Sequence, residues 1–100
     1  MTQSDIERVV AEADFGTATA RKSGRNKEWP YVPVVVTTSE DGRSTHESQV
    51  LGLAYATRDE AIAAAERHIE AQRVDLARKL ADPRYRVLRE YYGLPREVES

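Results

Sequence analysis

The sequence of 100 residues contains no cysteine. Its fold can therefore hold no disulfide, and its chemistry can use neither a thiolate nucleophile nor a thiolate ligand to zinc. The sequence also has no early apolar run and no uninterrupted apolar stretch of about 18 residues, so we expect neither a signal peptide nor a membrane span. These absences favour a cytoplasmic protein without a membrane partner.

Motifs for catalysis and cofactor binding are missing as well. The two histidines, His46 and His68, are far apart and share no metal-binding spacing such as H-x-x-x-H. The five glycines form no phosphate-binding loop, and no G-x-S-x-G nucleophile elbow occurs. We therefore predict a non-enzymatic protein without catalytic residues, metal, cofactor or small-molecule substrate.

The residues that are present suit one small globular domain. Hydrophobic residues make up 40% of the chain and charged residues 32%, with a net charge of −2. We expect residues 1–94 to form a single α+β domain and residues 95–100 to form a flexible tail.

Two segments, 5–14 and 58–81, carry apolar residues at helical spacing and are predicted to be helices. The second follows Thr57, which forms with Glu60 the spacing of a capping box.

A third helix is predicted over residues 83–92, where the sequence has both a start and a stop signal. Asp82 is a favoured N-cap, and Pro83 fits the first helical position. Gly93 accepts the left-handed conformation that ends many helices.

Strands are predicted over residues 17–23, 31–39 and 44–55. The pair Asp41-Gly42 between the last two predicts a two-residue hairpin turn. The whole order, α-β-β-β-α-α, predicts an α+β fold in which a three-stranded antiparallel meander is packed by one long helix.

Three residues predict irregularities in this meander. Pro30 and Pro33 cannot donate ladder hydrogen bonds, which places the start of strand 31–39 at an edge or a bulge. Gly52 predicts a bulge within the following long strand.

The order α-β-β-β-α over residues 5–81 is similar to that of double-stranded RNA-binding domains. Those domains begin their last helix with a lysine-rich K-K-x-A-K segment that meets phosphates, whereas residues 57–61 here read T-R-D-E-A. Two carboxylates at this place would repel a phosphate. The resemblance therefore implies a topology and carries no RNA-binding residue over to this chain.

The long predicted helix exceeds the sheet on which it would pack. Its 24 residues, 58–81, extend about 36 Å, whereas a typical strand covers only about 17–20 Å. The sheet can therefore cover about half of the helix. Gln72 and Arg73 fall where this cover should end, so we expect a boundary between two packing regions there.

Residues 72–92 carry the leading functional hypothesis. Their apolar side chains can pack on each other within one chain, or they can form a surface for a partner protein or a second copy. Because tyrosine is enriched in the cores of protein interfaces, we predict a protein-interaction or self-associating module. The predicted partner-binding residues are Arg73, Tyr85, Leu88, Tyr91 and Tyr92.

Residues 21–31 carry the alternative hypothesis. Cations can neutralise phosphates and aromatic rings can stack on bases, which predicts a weak nucleic-acid-binding domain that uses this segment and the sheet. The competing interpretation is a solvated loop. The predicted nucleic-acid-binding residues are Arg21, Lys22, Arg25, Lys27, Trp29 and Tyr31.

Overall fold

A computed structural model of the chain describes residues 3–23, 26–50 and 52–95. Its elements in chain order are α1 (Gln3–Glu12), β1 (Thr17–Lys22), β2 (Tyr31–Thr38), β3 (Thr45–Gln49), α2 (Arg58–Leu80) and α3 (Arg86–Tyr91). The predicted α+β order is confirmed, with an open three-stranded sheet packed against a helix. Within the described ranges, no helix is both long enough and apolar enough to cross a bilayer.

The chain divides into two compact units, and α2 contributes residues to both. The sheet unit comprises Asp14–Ala71, and the helical unit comprises Met1–Ala13 with Gln72–Ser100. The predicted packing boundary at residues 72 and 73 is therefore confirmed, and Arg73 is exposed. The single domain over residues 1–94 stays a prediction. The predicted tail lies outside the described residues except for its first residue, residue 95.

The sheet unit is built on β2, which is the central strand and pairs antiparallel with β1 and β3. Val35 of β2 is buried together with Ala65 and Ile69 of α2. The partly buried side chains that pack on this core are Phe15, Ala18 and Val50. Because side chains alternate along a strand, Val34 belongs to the opposite side of the sheet, called here the open face.

α1 ends two residues before the end of the predicted helix 5–14, because Asp14 belongs to a turn. Its carboxylate accepts a hydrogen bond from the Gly16 N–H at 2.8 Å. Gly16 has a φ of +91°, and a Cβ at this position would lie 2.7 Å from both Val35 Cγ1 and the Val36 carbonyl oxygen. Glycine is required here by its conformation and by the close approach of β2.

β3 is shorter than the predicted strand 44–55 and ends at Gln49, which pairs with Val34. Pairing resumes only where Tyr31 faces Tyr55. From the Val34–Gln49 pair to the Tyr31–Tyr55 pair is three residues along β2 but six residues along the segment that follows β3. The three additional residues form a bulge.

The missing N–H of Pro33 explains the position of this bulge. Tyr31 and Tyr55 exchange both backbone hydrogen bonds, at 3.1 and 2.7 Å, so the backbone groups of alternate β2 residues face this side. The Val50 N–H donates to the Pro33 carbonyl at 3.0 Å, but proline has no N–H to return. The ladder breaks there, and Gly52, with a φ of +81°, lies in the outward loop. The predicted bulge is confirmed, although it lies beside a central strand.

The hairpin between β2 and β3 is longer than the predicted two-residue turn. The Ser39 N–H donates to the Ser44 carbonyl, and the Gly42 N–H donates to the Ser39 carbonyl, both at 2.9 Å. Gly42 has a φ of +73° but Asp41 has no positive φ, which excludes a type I′ turn. Instead the Asp41 carboxylate accepts from the Ser39 hydroxyl and the Arg43 N–H, and these bonds lower the pKa of Asp41.

α2 begins where the sequence predicts and ends one residue before the predicted position 81. The Glu60 N–H donates to the Thr57 hydroxyl oxygen at 3.2 Å, and that hydroxyl donates to the Glu60 carboxylate at 3.0 Å. The predicted cap is therefore confirmed, and it satisfies one of the free N–H groups at the start of the helix.

α3 is shorter than the predicted helix 83–92, and the predicted start is wrong. The Asp82 carboxylate accepts hydrogen bonds from the backbone N–H and the guanidinium of Arg84, and the Tyr85 N–H donates to the Asp82 carbonyl at 3.1 Å. Asp82 thus stabilises a turn that also contains the following proline. The helix itself starts at Arg86, without a side-chain hydrogen bond at its N-cap.

The predicted end of α3 at Gly93 is confirmed. Gly93 has a φ of +74°, and its N–H donates to the Glu90 carbonyl at 3.0 Å. The Leu94 N–H donates to the Arg89 carbonyl at 2.9 Å. These two bonds form a Schellman motif, which satisfies carbonyls at the end of the helix.

The Gly16→Ala substitution should lower the free energy of unfolding by about 2–4 kcal/mol, because it combines left-handed strain with overpacking against β2. Gly42→Ala is the matched control: its φ is also positive, but nothing lies within 4 Å of the added Cβ. We expect this control to cost only about 1–2 kcal/mol. Urea unfolding followed by circular dichroism measures both. Equal losses would contradict the close approach of Gly16 to β2.

Candidate functional site

The predicted partner-binding residues differ in exposure within the helical unit. Arg73 is exposed and the Tyr91 side chain is 80% exposed, whereas Tyr85, Leu88 and Tyr92 are half-buried. The rings of Tyr91 and Tyr92 meet edge to face, with 5.1 Å between their centroids. Tyr85, Leu88 and Tyr92, which follow one another at helical spacing, are thus partly covered by the chain itself, whereas Tyr91 is exposed.

An apolar side chain that the sequence analysis missed joins Tyr91 on the exposed side of α3. Val87 is 78% exposed, and it lies four residues before Tyr91, hence on the same side of the helix. The sequence did contain a signal for the exposure of Val87, because this residue does not lie on the side of the helix that carries Tyr85, Leu88 and Tyr92. Val74 of α2 is a further exposed apolar residue of the helical unit, at 60%.

Arg89 is the most unusual side chain of the helical unit. It is fully buried, and its Nε, Nη1 and Nη2 atoms have no hydrogen-bond partner among the residues that the structure describes. The sequence analysis did not identify this residue. A signal was present in the sequence, because Arg89 lies four residues after Tyr85 and three before Tyr92 and is therefore on the same side of a helix as both.

Two carboxylates that precede α3 in sequence, those of Asp75 and Asp82, are already engaged by other cations. The Asp75 carboxylate accepts hydrogen bonds from Arg78 Nη2 at 2.8 Å and from Lys79 Nζ at 2.9 Å. Both bonds lower the pKa of Asp75, and the bond from Lys79 has the larger effect. Hydrogen bonds from Arg84 lower the pKa of Asp82 to about 2. Neither carboxylate pairs with Arg89.

A groove of the helical unit lies between α1 and α2. It has a volume of about 420 Å³. Its lining is Ile6, Glu7, Val10, Ala11, Arg73 and Ala77. Arg73 therefore borders this groove, whereas the tyrosines of the predicted partner-binding set do not line it.

The strand register separates the predicted nucleic-acid-binding residues. Arg21 pairs with Val32 on the open face, whereas Lys22 and Tyr31 pair with each other on the face packed by α2. Trp29 is 50% exposed and lines a cleft on the open face together with Arg21. Lys27 is exposed and does not line this cleft; Arg25 lies outside the described residues.

An ion pair covers the middle of the open face. Arg21 of β1 binds Glu47 of β3, and both line a small pocket with Val34 and Gln49. Val34 is only 2% exposed although α2 packs on the other face. In the register of the sheet, Val34 lies between the β2 residues that face Arg21 and Glu47. The ion pair engages the charge of Arg21 that was predicted to meet a phosphate.

The open-face cleft beside this ion pair has a volume of about 460 Å³. Its lining includes Arg21, Asn26, Trp29, Val32, Gln49 and Leu53. Asn26 Oδ1 accepts from the N–H groups of Glu28 and Trp29, at 2.9 and 3.2 Å. Leu53 lies in the bulge opposite Pro33 and is 40% exposed. The proline-induced bulge and the asparagine-held turn therefore build the two sides of this cleft.

Comparisons with models of protein families, with curated proteins and with solved structures find no match to this chain. The described residues also contain no group of three or more histidines or carboxylates arranged to hold a metal ion. The candidate sites rest on their own geometry: α3 with Arg89, and the open-face cleft.

Arg89→Met should raise the free energy of unfolding by about 1–4 kcal/mol, because methionine fills much of the same space without an unpaired buried charge. Arg67→Met is the matched control on the exposed surface of α2, and it should change stability by less than about 0.5 kcal/mol. Urea unfolding measures both variants. A destabilised Arg89→Met protein would contradict the unpaired burial of Arg89.

Proposed function

We propose that the helical unit binds an acidic segment of a partner protein through α3. The observation that carries this proposal is the enclosed guanidinium of Arg89, which has no hydrogen-bond partner within residues 3–23, 26–50 and 52–95. An unpaired buried charge costs several kcal/mol. A carboxylate matches the forked donors of arginine better than any other side chain, so an interface that supplies one removes this cost.

The charge around α3 supports an acidic partner over a second copy of the chain. Residues 72–95 contain six basic and three acidic residues, a net charge of +3. Two of those acids, Asp75 and Asp82, are engaged in local ion pairs. Two copies meeting through the same surface would bring like charges together, which is unfavourable.

Binding requires a movement that α3 can make. Arg89 is enclosed in the free chain, so its guanidinium must come out to meet a carboxylate. α3 has only six residues and no side-chain hydrogen bond at its N-cap, and helices this short have little stability of their own. The long arginine side chain can extend to the surface, where Val87 and Tyr91 offer apolar contacts.

The role we propose is non-enzymatic binding in the cytoplasm. Small domains of exported proteins commonly depend on disulfides, which this chain cannot form. The helical unit needs no cofactor for the proposed interaction, since side-chain charge and apolar contact provide it.

A photo-crosslinking amino acid at position 91 should form an adduct in cells with a partner protein, and the crosslinked peptide should carry an excess of Asp and Glu. The matched control places the same crosslinker at Glu66, an exposed residue of α2 in the sheet unit. Mass spectrometry identifies each adduct. No adduct, an adduct with the chain itself, or the same partner from both positions would contradict the proposal.

The identified partner, once purified, should bind the Arg89→Met protein at least about tenfold more weakly, since a charge pair at the interface is lost. Arg67→Met should bind like the original chain, and added salt should weaken binding. Calorimetric titration measures the affinity of each variant and the effect of salt on the affinity of the original chain. The same affinity for Arg89→Met would contradict a role for Arg89, even if crosslinking succeeds.

A further inference from the structure

The open-face cleft combines exposed apolar side chains with a concave shape. Trp29 and Leu53 line it and remain 50% and 40% exposed. Its volume of about 460 Å³ lies within the range of small-molecule sites, about 300–1,000 Å³. Large apolar side chains left open in a concavity of this size indicate a ligand with a flat apolar surface.

Polar groups in the same cleft can orient such a ligand. Gln49 offers an amide with both donors and an acceptor. Asn26 uses its Oδ1 to hold the turn that carries Trp29, so its NH₂ group is directed elsewhere and can donate. Two amides beside an indole suit a ring whose edge has both donors and acceptors.

The charge of the described lining disfavours a ligand recognised mainly by its phosphates. Arg21 is the charged residue in its described lining, and it is paired with Glu47. Of the other predicted cations that the structure describes, Lys22 lies on the opposite face and Lys27 does not line the cleft. A ligand that fits this environment is therefore uncharged at the part that enters.

We propose that the open-face cleft binds an uncharged nitrogen heterocycle of the nucleobase class. The ring stacks on Trp29, packs on Leu53 and exchanges hydrogen bonds with Gln49 and Asn26. This site belongs to the sheet unit and does not depend on the interaction proposed for α3. The base can come from a free nucleoside or nucleotide or from a single strand, because the ring is common to all three.

The fluorescence of Trp29 provides the test, because this residue is the single tryptophan of the chain. Adenosine should quench it saturably, AMP should bind within about twofold of adenosine, and ribose 5-phosphate should have no effect. Raising the salt concentration should change these affinities little, since no phosphate contact is made. If oligoadenylate binds more tightly than adenosine and its binding depends on Gln49 in the same way, single-stranded nucleic acid is the source of the base.

Two variants complete the test. Gln49→Ala should weaken adenosine binding about fivefold or more, whereas Ser48→Ala, the next residue on the other face of β3, should leave it unchanged. Trp29→Ala, followed by ligand-observed NMR, should weaken binding about tenfold or more. The proposal is overturned by an absence of saturable quenching, by binding indifferent to Gln49 and Trp29, or by binding that needs phosphate and falls steeply with salt.

Discussion

A three-stranded sheet is too small to cover a helix of 23 residues, and the organisation of this chain depends on that mismatch. At 1.5 Å per residue, α2 is about 35 Å long. The buried contacts with β2 are made by Ala65 and Ile69, in its first half. Leu76 and Leu80 are buried as well, but they belong to the helical unit. One helix therefore serves two cores, and each core is small.

The two units carry sites of different chemistry. Among the described residues, the helical unit contains a charge without a partner, whereas the charged residue that lines the cleft of the sheet unit is neutralised in the Arg21–Glu47 pair. An unpaired guanidinium lowers stability in the free chain and raises affinity for a carboxylate. A neutral aromatic cleft costs little stability and favours apolar rings.

The features that were predicted correctly from the sequence are those that local signals determine. The capping box at Thr57, the stop at Gly93 and the boundary at residue 72 each follow from a few neighbouring residues or from simple lengths. The predicted role of Asp82 as an N-cap was wrong because an aspartate carboxylate can either cap a helix or stabilise a turn. In this chain its hydrogen bonds with Arg84 stabilise the turn.

The candidate sites were harder to predict because they depend on contacts distant in sequence. Trp29 and Arg21 were identified from their types, but strand register alone decides that Arg21 and Tyr31 lie on opposite faces. Glu47 and Leu53 join the cleft region only through pairing and the bulge. Arg89 was missed because arginine is rarely buried without a partner.

The bulge after β3 also affects how the sheet presents its edge. A regular strand continuing from Thr45 to Tyr55 would add the apolar residues 50–55 to a long, flat edge, the form most prone to pair with strands of other molecules. Interrupted after five residues, β3 presents the sequence T-H-E-S-Q, all of it exposed. A short polar edge with a charged residue at its centre disfavours aggregation. The proline that shapes a binding cleft thus also protects the fold against edge-to-edge association.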